Sequence, residues 1–383
     1  MMKRLILILL TALSVCLAQA QDSLRISLLT CSQGDDISSA FGHSALRVTD
    51  PATGRDMVFN YGTFSFNEPG FILTFLKGDL IYSLSIDSFT GFKRSYIRAG
   101  RGIIEQPLNL TPEQRQDIYL FLLDNAKEEN RYYLYDFLQD NCATRIRDIF
   151  DRGAYTSADS LTGLTYREEI KRMVGDKRWM MFGIDLLLGA DIDREITLNE
   201  TSFLPDRLSV NLAGYSNSSL GGMPLTDKVN VIVEPAPDRA GRAHRILSAA
   251  TGPFSLFTVL LIVYLLIFMR TENKWKFMSI FSNILYTVLG LGGVILLLMW
   301  VATNHVWTQH NWNLLWMNPL MLILPLMRNG VAKNLAVDIL SGIAVLTIAF
   351  AWLIPQSFHP AAVIITLLLA AVALSRRSIY RKY

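Results

Sequence analysis

The spacing of apolar and polar positions changes character about two-thirds of the way along the chain. Up to about Arg245, apolar residues are interrupted by turn signals and charges; beyond it they run together. In the first part, "SLRISLLTC" (23–31), "SALRVTD" (44–50), "RDMVFNYGTF" (55–64) and "GDLIYSLSIDSF" (78–89) are β-branched, aromatic and apolar, and read as strands. The turn "DPATG" (50–54) joins the middle two. "LTPEQRQDIYLFLLDNA" (110–126) predicts a helix with Thr111 as N-cap and Pro112 at its first position. A second helix is expected from about Asn141 to Asp151, ending near Gly153. The stretch 217–245, rich in Gly, Pro and polar residues, reads as a strand-bearing edge and then a linker. Strands first and helices later predict an α+β domain over 21–245, long enough for its own core.

The second part, 246–383, contains five apolar runs: 252–269, 277–302, 312–327, 335–354 and 358–374. Each is close to the length of a membrane span, so an all-α bundle of five transmembrane helices is expected. The loops orient it. "RTENKWK", "MRNGVAKN" and the tail "SRRSIYRKY" carry three, two and four Lys or Arg, whereas "TNHVWTQHNWN" and "PQSFHP" carry none. Basic loops stay cytoplasmic, so the first part lies outside and the tail inside. The start, "MMKRLILILLTALSVCLAQA" (1–20), fits this as a secretory signal peptide cleaved after Ala20. Cys16 falls within it, leaving Cys31 and Cys142 as the mature thiols.

Composition agrees with this division. Mean hydropathy is +0.29 and net charge only +3. No basic patch is interleaved with aromatics, which argues against a nucleic-acid partner. No nucleotide-binding loop or metal-ligand cluster is seen, so neither cofactor nor metal is expected. In the outer loop "NHVWTQHNWNLLWMNP" (304–319), Trp307, Trp312 and Trp316 read as an interfacial belt. His305, His310, Asn311 and Asn313 are expected to bind a head group or substrate there.

The chemistry centres on "YDFLQDNCATRIRDIFD" (135–151). Cys142 stands where loop becomes helix, facing unsatisfied N–H groups and the positive end of the dipole, which favours a thiolate. Arg145 and Arg147 add positive charge. A nucleophilic thiol needs a base, and His43 in "SSAFGHSALRV" stands at the entry to a strand, after Gly42. The remaining histidine of the first part, His244, lies in the linker. Against the enzymatic reading stands a structural disulfide between Cys31 and Cys142 in an oxidising compartment.

Three blocks, "LLTCSQGDDISSAFGHSALRV", "VFNYGTFSFNEPGF" and "DNCATRIRDIF", taken with the membrane half, resemble the Lnb family of bacterial lipoprotein N-acyltransferases. The first part also resembles the circularly permuted, papain-like NlpC-type superfamily, in which the His strand precedes the Cys helix. The resemblance implies Cys142 as nucleophile and His43 as base, with Asn60 the choice for the orienting group and Asp36 its competitor. It implies acyl transfer from a membrane phospholipid, through a Cys142 thioester, to the N-terminal amine of a diacylglyceryl-cysteine lipoprotein at the bacterial inner membrane. The alternatives are a membrane-anchored periplasmic cysteine hydrolase, acting on a peptidoglycan peptide or a lipid, and a non-catalytic lipid-binding module with the disulfide.

Overall fold

The computed structural model describes residues 24–64, 71–151, 155–156, 159–174, 177–236, 242–270 and 274–380. The expected signal peptide and residues 65–70 of the second motif block lie outside them. The chain forms two compact units, both discontinuous. The first comprises Met1–Phe71, Asp79–Gly163 and Ile196–Pro237; the second comprises Ile72–Gly78, Leu164–Glu195 and Asp238–Tyr383.

The first unit is built on an antiparallel sheet of seven strands: β1 (Arg25–Cys31), β2 (His43–Asp50), β3 (Arg55–Thr63), β4 (Ile81–Ser88), β5 (Ile103–Pro107), β6 (Tyr132–Leu134) and β7 (Asn230–Val233). Their spatial order is β7-β5-β1-β2-β3-β4-β6. All but the first residue of β1 is buried, because both sheet faces are covered. Successive side chains in a strand point to opposite faces. Ile26, Leu28, Leu46, Val48 and Phe59 pack on one side with Leu122, Ile146, Phe150, Leu208 and Leu212, which come from the helices Pro112–Asn125, Cys142–Asp151 and Pro205–Ala213. Leu29, Cys31, Ala45 and Val58 pack on the other with Phe89, Phe92 and Tyr96 of the helix Phe89–Arg98. Each fully buried aliphatic or aromatic side chain contributes roughly 1.5–3 kcal/mol, so this double cover stabilises the central strands. Thr111 caps its helix as expected, in a reciprocal pair with Gln114. The stretch 217–245 supplies β7, an edge strand, before the helix Arg242–Thr251.

In the second unit, four helices are long and apolar enough to cross a membrane, among the described residues: Pro253–Arg270, Lys274–Val301, Val331–Ala349 and Pro360–Tyr380. In the second of them Met278, Leu285, Tyr286 and Leu289 are buried, while Ile280, Ile284, Val288, Leu291 and Ile295 are exposed. A helix apolar on its outer face as well suits a lipid surround. The expected third transmembrane helix, 312–327, is not a continuous α-helix. It is two 3-10 segments, Trp312–Leu315 and Pro319–Leu326. Pro319 and Pro325 have no N–H to give an α-helical ladder. The segment instead lies against Gly290, Gly292 and Gly293 of the helix Lys274–Val301, where a Cβ would overlap Leu322, Met317 or the Met317 carbonyl. Across the division expected at 245/246, Leu164–Glu195 packs with the C-terminal helices.

Candidate active site

His43 opens β2 and pairs with Cys31 of β1. Gly42, at φ +80°, allows the chain to turn in: a Cβ there would come 2.8 Å from the Cys31 carbonyl oxygen. In the neighbouring strand Leu46 pairs with Phe59, so His43 and Asn60 share a face as diagonal neighbours. The His43 Nε2 and Asn60 Oδ1 are 2.5 Å apart. Beyond Asn60 the β3/β4 register slips before Thr63, a bulge that contains Gly62 at φ +90°.

Cys142 is the first residue of the helix Cys142–Asp151. The preceding residue, Asn141, is buried and fully engaged. Its Oδ1 accepts the N–H groups of Ala143 (2.7 Å) and Thr144 (3.0 Å). Its Nδ2 donates to the Phe137 (2.6 Å) and Phe203 (2.9 Å) carbonyls. This cap fixes where the helix starts, and so where the thiol stands. Helix and strand meet across Gly62. The point where a Cβ would stand on that residue lies 3.7 Å from the Cys142 Cβ, 3.8 Å from the His43 Cε1 and 3.9 Å from the Tyr133 hydroxyl.

The two residues titrate as a pair. Burial works against charge on Cys142, but the His43 charge, a hydrogen bond to it, and the backbone N–H groups of Ser44 and Ala143 outweigh it, and the thiol pKa is lowered. Burial likewise opposes charge on His43, but the Cys142 charge and the hydrogen bonds with Cys142 and Asn60 raise its pKa above the usual 6.5. With Nε2 turned to Asn60, Nδ1 is left for the thiol. Both shifts favour a thiolate–imidazolium pair, with an amide against the imidazole, at a helix start whose first N–H has no intrahelical acceptor.

Cys31 behaves differently. Burial pushes its thiol up to about 12, and it packs in the core beside Tyr96. Both cysteines are free, so the disulfide alternative is not what the structure holds. Asp36 is exposed before the 3-10 turn Ile37–Ser39, and Asn60 is the residue against the imidazole.

The outer-loop residues stand elsewhere, in the second unit. Asn311 and Asn313 are each only 1% exposed. Asn311 Nδ2 donates to the Leu186 (2.7 Å) and Leu187 (3.1 Å) carbonyls, and Asn313 Nδ2 to that of Asp185 (2.8 Å). They satisfy the end of the helix Arg178–Leu187, which otherwise leaves orphan carbonyls. The amide N–H groups of both are thus engaged within the fold. His305 Nε2 lies 2.9 Å from the Phe75 carbonyl, and His310 Nδ1 lies 3.0 Å from Asp191. The two histidines therefore have separate partners.

Three features escape a reading of the sequence. Arg167, 4% exposed, binds Asp185 and Asp193, both at 2.9 Å, and the Leu188 and Gly189 carbonyls. Tyr133 is 8% exposed, and its hydroxyl has no hydrogen-bond partner among the described residues. The Arg145 guanidinium lies 4.1 Å over its ring. Arg101 approaches the site from 58 residues beyond His43, and no local pattern marks it.

In comparisons with known proteins, residues 18–171 match the family model of the Lnb N-terminal periplasmic domain, and residues 246–383 match that of the Lnb transmembrane domain. No curated protein and no solved structure matches the chain.

Proposed function

The chain belongs to the Lnb family, as a membrane protein with a periplasmic N-terminal part, and from that premise we propose that it is a thiol-dependent lipoprotein N-acyltransferase of the bacterial inner membrane. The observation that carries the reading is the convergence of Cys142, His43 and Asn60 at a helix start, in a chain that also holds four apolar helices of membrane-spanning length. The order of the His strand before the Cys helix supports a permuted papain-like, NlpC-type fold for the periplasmic part.

In the first step the Cys142 thiolate attacks the ester carbonyl of a glycerophospholipid. The C–O bond breaks, His43 gives its proton to the departing lysophospholipid oxygen, and an S-acyl Cys142 remains. In the second step the N-terminal amine of a diacylglyceryl-cysteine lipoprotein attacks that thioester. Neutral His43 takes the amine proton, the C–S bond breaks, and the thiolate returns as the amide forms. Asn60 keeps the imidazole in the plane both transfers need. The Cys142 N–H is suited to the oxyanion of both intermediates.

Intact-mass analysis of lipoproteins tests this. In a host without other N-acylation, the wild-type protein adds one acyl chain to the lipoprotein N-terminus, and Cys142→Ser adds none. Release of free fatty acid with no gain in lipoprotein mass would replace the transferase reading with the hydrolase.

A further inference from the structure

Next to Asn60 the first unit holds a cavity of about 390 Å³, lined by Asn60, Asp87, Phe92, Ser95, Tyr96 and Arg101 among others. This lies within the roughly 300–1,000 Å³ of small-molecule sites. Arg101 is held in place before any ligand arrives. Its Nε donates to the Ser32 carbonyl at 2.8 Å, and its guanidinium stacks 4.7 Å from the Tyr96 ring centre. Its Nη2 is buried and has no hydrogen-bond partner among the described residues. A buried donor left without an acceptor is costly, and more so on a charged group, so it marks a place for an acceptor. The field of Arg101 reaches His43 and opposes its charge. A planar fork is suited to phosphate oxygens. Asp87 gives the lining a carboxylate as well; it already accepts from the Ser85 hydroxyl at 3.2 Å.

We propose that this cavity is the head-group subsite of the acyl donor, with Arg101 taking the phosphodiester and Asp87 the amine of a zwitterionic glycerophospholipid. The inference rests on the transferase reading and deepens it. The geometry is consistent: Asn60 lines the cavity and touches His43, and only the glycerol separates a phospholipid's phosphate from its ester carbonyls. A bare anion would leave Asp87 as a like charge in the pocket; an amine-bearing phosphodiester uses both signs.

The test uses the full-length protein in detergent and the soluble head group sn-glycero-3-phosphoethanolamine. Cys142 alkylation by iodoacetamide is followed with and without this probe. The expected result is that the probe slows alkylation of the wild type, that glycerol does not, and that Arg101→Gln weakens the protection at least about tenfold in probe concentration. Arg101→Lys, which keeps charge and stem, weakens it less. Asp87→Asn favours sn-glycerol 3-phosphate over the zwitterion. Equal protection of the wild type and Arg101→Gln, both folded by circular dichroism, overturns the subsite. So does transfer from phosphatidylethanolamine with an unchanged KM in Arg101→Gln. Protection with no acyl transfer by the wild type leaves the subsite standing and removes the transferase instead.

Discussion

In the proposed reaction His43 must hold a proton against burial and release it to a leaving group, and its neighbours decide whether it can. Cys142 supplies the counter-charge, Asn60 the fixed hydrogen bond, and Gly62 the small residue that both side chains flank. The sign of the pH dependence follows. The thiol pKa is lowered, so its thiolate persists as pH falls below the range of an ordinary cysteine; the imidazole pKa is raised, so its proton persists as pH rises above the ordinary histidine value. Iodoacetamide should therefore modify Cys142 at lower pH than it modifies an ordinary cysteine. In His43→Gln the counter-charge is lost and burial remains, so the midpoint moves up and the rate at pH 7 falls by more than about tenfold. An unshifted profile would show that His43 does not set the reactivity of the thiol. Cys31 gives the control: its thiol, raised to about 12, should stay unmodified in the folded protein at these pH values. Gly42→Ala should displace His43, since its Cβ meets the Cys31 carbonyl, and should lower both alkylation rate and melting temperature. Cys142 and His43 were legible in the chain because a loop-to-helix cysteine and a strand-entry histidine are local patterns. Tyr133 and Arg101 were not, because their importance lies in what surrounds them after folding.

The helices and strands that stand on local signals are those the sequence reveals. Thr111 and Pro112 announce a helix start, and the alternation in β2 and β3 announces strands. The expected third span departs from an α-helix for a tertiary reason. Its apolar composition is right for a span, but Pro319 and Pro325 and the glycine notch of the neighbouring helix select a 3-10 course. Gly293→Leu should thus cost packing in the membrane half, seen as a lower melting temperature in detergent, whereas Gly330→Ala, with open space around it, should not. Asn313 of the outer loop likewise holds neighbouring groups in place. Replacing Asn313 by Ala leaves the Asp185 carbonyl and the Trp316 indole N–H without their partner. A loss of about 1–3 kcal/mol is expected from each group orphaned in this way. Thermal unfolding of Asn313→Ala measures it; an unchanged melting temperature would return the residue to the list of substrate contacts.

At the scale of the whole chain, the two units are woven rather than consecutive, because Ile72–Gly78 and Leu164–Glu195 belong with the apolar helices. Charge and hydropathy alone divide the chain near 245; they do not see that Arg167 and the carbonyls 185–187 find their partners within the second unit. Truncation at Arg245 should therefore strip Leu164–Glu195 of its packing, and hydrogen exchange in that segment should rise sharply relative to the full chain. Equal protection in both forms would mean that the segment folds with the first unit. A chain that carries both a cysteine site and apolar helices of membrane-spanning length suits the reaction proposed above, between two membrane-held substrates. That claim meets its most direct test in the intact mass of the purified protein after incubation with phosphatidylethanolamine alone, followed by a diacylated lipopeptide. The account predicts a hydroxylamine-labile gain of one acyl group on Cys142, which then disappears as the lipopeptide gains the same mass. Acylation of the lipopeptide by Cys142→Ser at the wild-type rate, with no acyl group ever found on Cys142, would contradict it.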